Sequence, residues 1–217
     1  KEVSDYFPNG AVKETQKYGN NANAPPVTTS YTYDTFGNLK TETFSTTGVI
    51  SQTTTYSYDT TNRYINKTTT PDGLSSTSVV NVLGRVSSET SPLGLSTTYT
   101  YDSWGNITEI TDFLGKKTTI SKSVADASTG GVYNLHKKRE GGTETIVTFD
   151  KFDREIQAKT QSINGKWLVS KTEYDIFGRK TRVSESFFDG ETPKWNSVEY
   201  DELNRPIKNT AFTGKTI

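Results

Sequence analysis

A six-residue phrase recurs along this chain: an aromatic residue, Asp, two variable residues, a Gly, Asn or Asp, and then Arg or Asn. It reads Tyr33-Asp34-Thr35-Phe36-Gly37-Asn38, then Tyr58-Asp59-Thr60-Thr61-Asn62-Arg63, then Tyr101-Asp102-Ser103-Trp104-Gly105-Asn106. It returns as Phe149-Asp150-Lys151-Phe152-Asp153-Arg154, Tyr174-Asp175-Ile176-Phe177-Gly178-Arg179 and Tyr200-Asp201-Glu202-Leu203-Asn204-Arg205. Between Asp59 and Asp102 lies a degenerate copy, Val80-Asn81-Val82-Leu83-Gly84-Arg85. Asp126 sits midway between Asp102 and Asp150 in a poor match, and Tyr6-Phe7-Pro8-Asn9-Gly10 reads as a worn first copy. A fixed internal period describes an array in which each unit leans on its neighbours, rather than a domain built round one site. The expected organisation is a single array over residues 1–217, with a unit of 21 to 26 residues and eight or nine copies.

Each unit carries two turns. In the phrase itself, an Asp at the first turn position can accept N–H groups from the residues that follow. Three residues later stand Gly37, Asn62, Gly84, Gly105, Asp153, Gly178 and Asn204, the residue types that enter left-handed backbone most readily. That pattern predicts a hairpin connection of a type I turn followed by a left-handed residue and a bulge. The second turn follows 13 to 15 residues after the Asp, at Gly48, Gly73, Gly94, Gly115, Gly165, Gly190 and Gly214. Strand-length stretches such as Leu39–Phe44 lie between. The aromatic before each Asp shares a strand face with the residue two before it, as in Tyr31/Tyr33, Tyr56/Tyr58 and Tyr99/Tyr101. Stacked units would bury these as one stripe, and Phe36, Leu83, Trp104, Phe152, Phe177 and Leu203 inside the turn are expected to extend it.

Composition agrees. Thr is the signature residue at 37 of 217, and Thr and Tyr suit a pleated, half-buried surface. The hydrophobic fraction is 30%, low for a globular chain, yet the aromatic content of 12% and a net charge of zero argue against disorder. The 25 basic and 25 acidic residues are interspersed with no basic stripe, so no nucleic-acid partner is expected. The chain has no Cys, which excludes disulfides, thiolate metal sites and a Cys nucleophile. No apolar run approaches the length of a membrane span, and no signal peptide is present. The absence of Met and the Lys at position 1 read as a piece of a longer protein.

The repeated phrase resembles the YD repeat of the Rhs/YD-repeat family. The match is close at Tyr174–Lys180 and Tyr101–Ile107, looser at Val80–Val86 and absent around Asp126, and it covers nearly the whole chain. The resemblance implies an all-β fold: a curved or spiral antiparallel sheet of successive β-hairpins that forms part of a hollow shell. Family members include bacterial Rhs polymorphic toxins, subunits of toxin complexes, wall-associated proteins and the animal teneurins. The implied role is a non-catalytic wall segment enclosing a C-terminal toxin or other cargo, secreted or at the cell surface. The implied partners are the remainder of the parent shell, its cargo and surface glycans. Self-association through open sheet edges is a further expectation. Self-cleaving members carry Asp-Pro-rich protease chemistry; this sequence has no Asp-Pro, so no protease residues carry over.

Candidate chemistry is sparse. The lone His136 has no nucleophile elbow or Cys beside it in sequence and reads as a surface residue. Asp150 and Asp153 are the nearest carboxylate pair within one unit, but both occupy turn positions. Arg63, Arg85, Arg154, Arg179 and Arg205, with Asn38 and Asn106 in the same slot, would form a row in stacked units and pair with the Asp of their own or the next turn. Trp104, Trp167 and Trp195 are the residues to test for sugar stacking, with core packing the default. Lys137-Lys138-Arg139 reads as a solvated hairpin bend. No catalytic, cofactor or metal site is expected, and the competing reading is a carbohydrate-binding or adhesion module.

Overall fold

A computed structural model describes residues 1–21 and 24–215. Among them are nineteen β-strands and a single 3₁₀ turn, Ala127–Thr129. The chain divides into two compact units, Lys1–Tyr99 and Thr100–Ile217.

The first unit contains β1 (Glu2–Tyr6), β2 (Val12–Lys17), β3 (Val27–Tyr33), β4 (Leu39–Ser45), β5 (Gln52–Tyr58), β6 (Ile65–Thr69), β7 (Ser75–Val80) and β8 (Val86–Thr90). Its last strand, β9 (Ser96–Tyr101), runs two residues past the boundary. From β1 to β9 each strand pairs antiparallel with the next. The second unit contains β10 (Ile107–Thr111), β11 (Lys117–Val124), β12 (Tyr133–Arg139), β13 (Glu144–Phe149), β14 (Glu155–Gln161), β15 (Trp167–Tyr174), β16 (Lys180–Ser184), β17 (Phe187–Phe188), β18 (Trp195–Tyr200) and β19 (Pro206–Thr210). Here too neighbours pair antiparallel, with one departure. The strand returning along β15 is broken: β16 pairs with Thr172–Tyr174, and β17 pairs with Leu168 and Val169. At the break the Lys171 N–H donates to Ser184 Oγ (2.8 Å) instead of to a backbone carbonyl, and β18 continues from β16 alone. The all-β hairpin array is therefore the observed fold.

The turns follow the predicted chemistry closely. All seven residues expected in left-handed backbone have positive φ, including the non-glycines Asn62 (55°), Asp153 (62°) and Asn204 (63°). The bulge is there as well. Pairing shifts by one residue immediately before the phrase's first residue, between Thr32 and Tyr33, Ser57 and Tyr58, Val79 and Val80, Thr148 and Phe149, Glu173 and Tyr174, and Glu199 and Tyr200. An extra residue on one strand tightens local twist and re-aims the side chain beside it.

Neither unit has a thick core. Among the described residues only Ala125 and Val169 are buried hydrophobics, and the buried polar set is Thr15, Thr148, Asp150, Gln157 and Ser184. Stability is spread over half-buried strand faces, ladder hydrogen bonds and cross-strand hydroxyl pairs. Thr32 with Thr41 (2.6 Å), Thr43 with Thr53 (3.0 Å) and Thr100 with Thr108 (3.1 Å) are such pairs, which explains why Thr dominates the composition.

One expectation fails. Phe36, Leu83, Trp104, Phe152, Phe177 and Leu203 do not extend a buried stripe: all are exposed, Trp104 by 86% and Phe36 by 69%. They stand at hairpin tips, beyond the last ladder bond, where the alternation of strand faces no longer governs direction.

Candidate functional site

The repeated phrase forms a joint between consecutive units. In the Asp34 copy, Asp34 N–H donates to the Asn38 carbonyl (2.9 Å) and Gly37 N–H to the Asp34 carbonyl (3.1 Å). The Asp34 side chain closes the loop from inside: Oδ1 accepts from the N–H groups of Phe36 and Asn38, both at 2.9 Å. The same pair of acceptances recurs at Asp102, Asp150, Asp175 and Asp201, and at Asn81, whose Oδ1 replaces the carboxylate. Asp59 closes a loop one residue longer, accepting from Arg63 and Tyr64. Asp112, in a second-type turn, accepts from Leu114 and Lys116 in the same manner, a cap not singled out from sequence.

The other carboxylate oxygen holds the Arg/Asn slot. Arg154 Nε donates to Asp150 Oδ2 at 2.8 Å, Arg179 Nε to Asp175 at 2.6 Å and Arg205 Nε to Asp201 at 2.7 Å. Asn38 and Asn106 make the neutral equivalent with Asp34 (3.1 Å) and Asp102 (2.9 Å). Arg63 departs from the expected row: Thr61 Oγ1 donates to Asp59 Oδ2 instead (2.7 Å). That hydroxyl, with the N–H groups of the loop, outweighs partial desolvation and holds the Asp59 carboxyl at a pKa of about 2. Asp34, Asp102, Asp150, Asp175 and Asp201 are lowered as well. For Asp102 the Asn106 amide is the largest influence; for Asp150 desolvation pulls the other way and is overcome by Arg154 and backbone N–H groups. These are carboxylates locked as anions, not acids poised to exchange protons.

The slot residue also reaches the next repeat. The Arg154 guanidinium lies 4.9 Å from the Phe152 ring of its own turn and 4.6 Å from the Tyr174 ring of the next. Arg179 repeats this with Phe177 (5.1 Å) and Tyr200 (4.7 Å), and its Nη1 donates to Asn204 Oδ1 (2.8 Å). Asn38 donates to the Asn62 carbonyl at 2.9 Å. A cation over an aromatic face is attracted by the ring quadrupole.

The phrase's tyrosines complete the joint from the opposite direction. Tyr33, Tyr58, Tyr174 and Tyr200 donate their hydroxyls to the carbonyls of Val12, Leu39, Glu155 and Lys180, at 2.9, 2.9, 3.0 and 2.9 Å. Each acceptor lies 19 to 21 residues earlier, at the start of the strand leaving the previous phrase. The sequence reading took these rings as apolar stripe alone, and a backbone acceptor leaves no residue-type signal from which the tie could have been read. In the Phe149 copy the hydroxyl is absent, and the ring stacks on Tyr133 (4.9 Å between centroids).

The remaining candidates fall as follows. Asp150 and Asp153 do not form an acid–base pair, since Asp150 serves its turn and Arg154 while Asp153 Oδ1 accepts from the Tyr133 hydroxyl. Lys137, Lys138 and Arg139 lie in β12, not in the bend, which is formed by the residues after them. Trp167 and Trp195 are half-buried. Trp195 lines a groove of about 540 Å³ with Thr129, Arg154, Gln157 and Lys171, and Arg182 sits 4.3 Å from its ring centroid. Around Asp126 the phrase gives way to the 3₁₀ turn, which Asp126 caps by accepting from Ser128 N–H (2.8 Å). His136 is not isolated: Nε2 lies 2.9 Å from Ser123 Oγ and Nδ1 lies 3.0 Å from Glu144 Oε1. No group of His, Cys, Asp and Glu able to hold a metal occurs among the described residues, and no helix there is long and apolar enough to cross a membrane.

Residues 81–117, which include the degenerate Asn81 copy and the Asp102 copy, match the RHS Repeat family model. That stretch of the chain carries an RHS repeat. The chain's fold is similar to that in the crystal structure of TcdB2-TccC3-Cdc42, with a TM-score of 0.57 and 16% identity over 97% of this chain and 13% of that one. The crystal structure of TcdB2-TccC3 gives the same figures. The chain spans about an eighth of the solved chains it resembles. No curated protein sequence matches it. Asp34, Asp102, Asp150, Asp175 and Asp201 are thus accounted for as turn caps, Arg154, Arg179 and Asn38 as bridges to the next repeat, and Tyr33, Tyr58, Tyr174 and Tyr200 as ties to the preceding one.

Proposed function

We propose that this chain is a non-catalytic wall segment of an Rhs/YD-repeat shell, acting by encapsulation of a C-terminal toxin or other cargo. The observation that carries the reading is the joint: Asp closes the turn, and residues such as Arg154, Arg179, Asn38, Tyr33, Tyr58, Tyr174 and Tyr200 tie one hairpin to the next. A wall needs side chains that fix the relation of neighbouring hairpins, and it needs little else from them. The thin core fits the same role, because a single sheet gains its partner surfaces from the rest of an enclosure. The parent shell, its cargo and a secreted or cell-surface setting are the partners and location this reading implies. The apolar residues at the hairpin tips and the open edges of β1 and β19 then meet further shell in the full protein, and in isolation they promote self-association.

The test is protease protection combined with electron cryomicroscopy of the complete gene product. The shell reading expects a closed particle whose interior segment resists protease until the wall is disrupted. An extended, open ribbon with every segment equally cleavable would refute it. A glycan-binding module is the second reading, favoured by the groove beside Trp195 and Gln157. Arg182 already occupies space over that ring, which weighs against sugar stacking. Binding on a glycan array that is lost in Trp195→Ala would support the module.

A further inference from the structure

We propose that Ser123, His136 and Glu144 form a nucleophilic relay that accepts acyl groups from small, activated carboxylic esters. This does not depend on the shell reading and amends it in one respect: a segment otherwise structural carries one reactive serine. The three residues come from adjacent strands. In the register, His136 on β12 stands opposite Ser121 on β11 and Ile146 on β13, so Ser123 and Glu144 lie one same-face step away in opposite directions. Diagonal neighbours at that distance are within reach of a long or aromatic side chain. The imidazole spans the step, with Nε2 2.9 Å from Ser123 Oγ and Nδ1 3.0 Å from Glu144 Oε1.

The chemistry follows from the partners. A carboxylate only accepts, so Glu144 fixes the proton on Nδ1. Nε2 is then left with its lone pair toward the Ser123 hydroxyl, which donates to it. This is the arrangement that activates a serine: base against the hydroxyl, carboxylate behind the base. Ser123 is exposed, while His136 and Glu144 side chains are 27% and 24% exposed. The nucleophile is open and its base is sheltered. Asn134 stands directly opposite Ser123, and its Oδ1 accepts from Thr148 Oγ1 (2.8 Å). That bond turns the Nδ2 donor toward β11, where it makes only a long contact (3.5 Å) with the Val124 carbonyl. It is the side-chain N–H donor placed beside Ser123 for a developing oxyanion.

In the acylation step Ser123 Oγ attacks the ester carbonyl carbon and its proton passes to His136 Nε2. The bond to the leaving oxygen breaks, and the alcohol or phenol departs with that proton. Water then attacks the acyl carbonyl, giving a proton to Nε2, which returns it to Ser123 Oγ as the acid leaves. An open sheet face with no enclosing cavity suits small acyl groups on good leaving groups, so aryl acetates are the class to use. The charged groups on the same face are Glu109 on β10, Lys117 on β11, Lys138 on β12, Glu144 on β13 and Lys159 on β14; Glu109 is paired with Lys117 (2.9 Å), and Glu144 is bonded to the ring.

The experiment incubates the intact chain with p-nitrophenyl acetate and follows intact mass and peptide maps. Acetylation at Ser123 is expected. Ser123→Ala, which removes only an exposed hydroxyl, abolishes labelling at that peptide. His136→Gln lowers it by about a hundredfold. Glu144 acts through the ring as a positioning residue; Glu144→Gln slows Ser123 labelling while labelling of lysines stays unchanged, and Glu144→Asp restores part of the Ser123 rate. Circular dichroism confirms that each variant stays folded; where His136→Gln does not, Glu144→Gln decides, and unchanged Ser123 labelling in it overturns the proposal. Labelling confined to lysines, or Ser123 labelling unchanged in His136→Gln, overturns the proposal.

Discussion

The Tyr174 hydroxyl donates to the Glu155 carbonyl at 3.0 Å, and the Tyr174 ring lies 4.6 Å from the Arg154 guanidinium. A single residue thereby grips the preceding repeat through both its polar tip and its aromatic face. Tyr174→Phe keeps the face and loses the tip, at an expected cost of about 1 kcal/mol. Tyr174→Ala loses both, at about 3 kcal/mol. Equilibrium urea unfolding of the two variants separates the contributions; a Tyr174→Phe variant as stable as the parent chain would show that the hydroxyl is idle, and equal costs for the two variants would show that the ring is.

Asp150 closes its turn through Oδ1 and holds Arg154 through Oδ2. Asn81 shows that an amide oxygen satisfies the two turn N–H groups without a charge, at 2.9 and 3.1 Å. Asp150→Asn is therefore expected to cost less than Asp150→Ala, which strips the cap as well, by about 1 kcal/mol. Thermal melts of both variants check the order.

Gly84 and Gly37 both have positive φ, at 75° and 85°. A methyl group at Gly37 would enter open space, whereas one at Gly84 would collide with the Tyr64 ring. Both Ala variants carry the left-handed backbone cost of about 1–2 kcal/mol. Only Gly84→Ala must also displace an aromatic side chain, so its melting temperature falls further. Equal losses would mean that Tyr64 moves aside without cost.

Acid should weaken the array through its turn carboxylates. Asp34, Asp59, Asp102, Asp150, Asp175 and Asp201 are all more acidic in the folded chain than an ordinary aspartate, Asp59 at about 2. An unfolded aspartate titrates at about 3.9, so the unfolded chain takes up these protons first. The stabilisation is complete above that value and is lost as pH falls through the folded values toward about 2. Urea midpoints are expected to hold steady from pH 7 to 5 and to drop below pH 4. A drop between pH 7 and 5 would assign the sensitivity to other groups.

The turns were legible because their chemistry is local. An Asp followed three residues later by Gly, Asn or Asp specifies both cap and left-handed position, and Asn62, Asp153 and Asn204 adopt it despite bearing side chains. The tie from Tyr to carbonyl was not legible, because its acceptor is a backbone atom common to every residue. The tip residues misled for another reason: Phe36 and Trp104 are apolar by type, but a turn has no inner face to direct them to. The β16/β17 break depends on how the Glu185–Lys194 loop closes, which no spacing encodes. Ser123 and Glu144 lie 13 and 8 residues from His136, and only the register of three strands brings them together.

The central claim is that the recurring phrase acts between repeats. A double-mutant cycle on Arg179 and Tyr200, whose guanidinium and ring are 4.7 Å apart across the repeat boundary, tests it most directly. Unfolding free energies of Arg179→Ala, Tyr200→Ala and the double variant should give a coupling of about 0.5–1 kcal/mol. Additive single effects, with no coupling, would contradict the account.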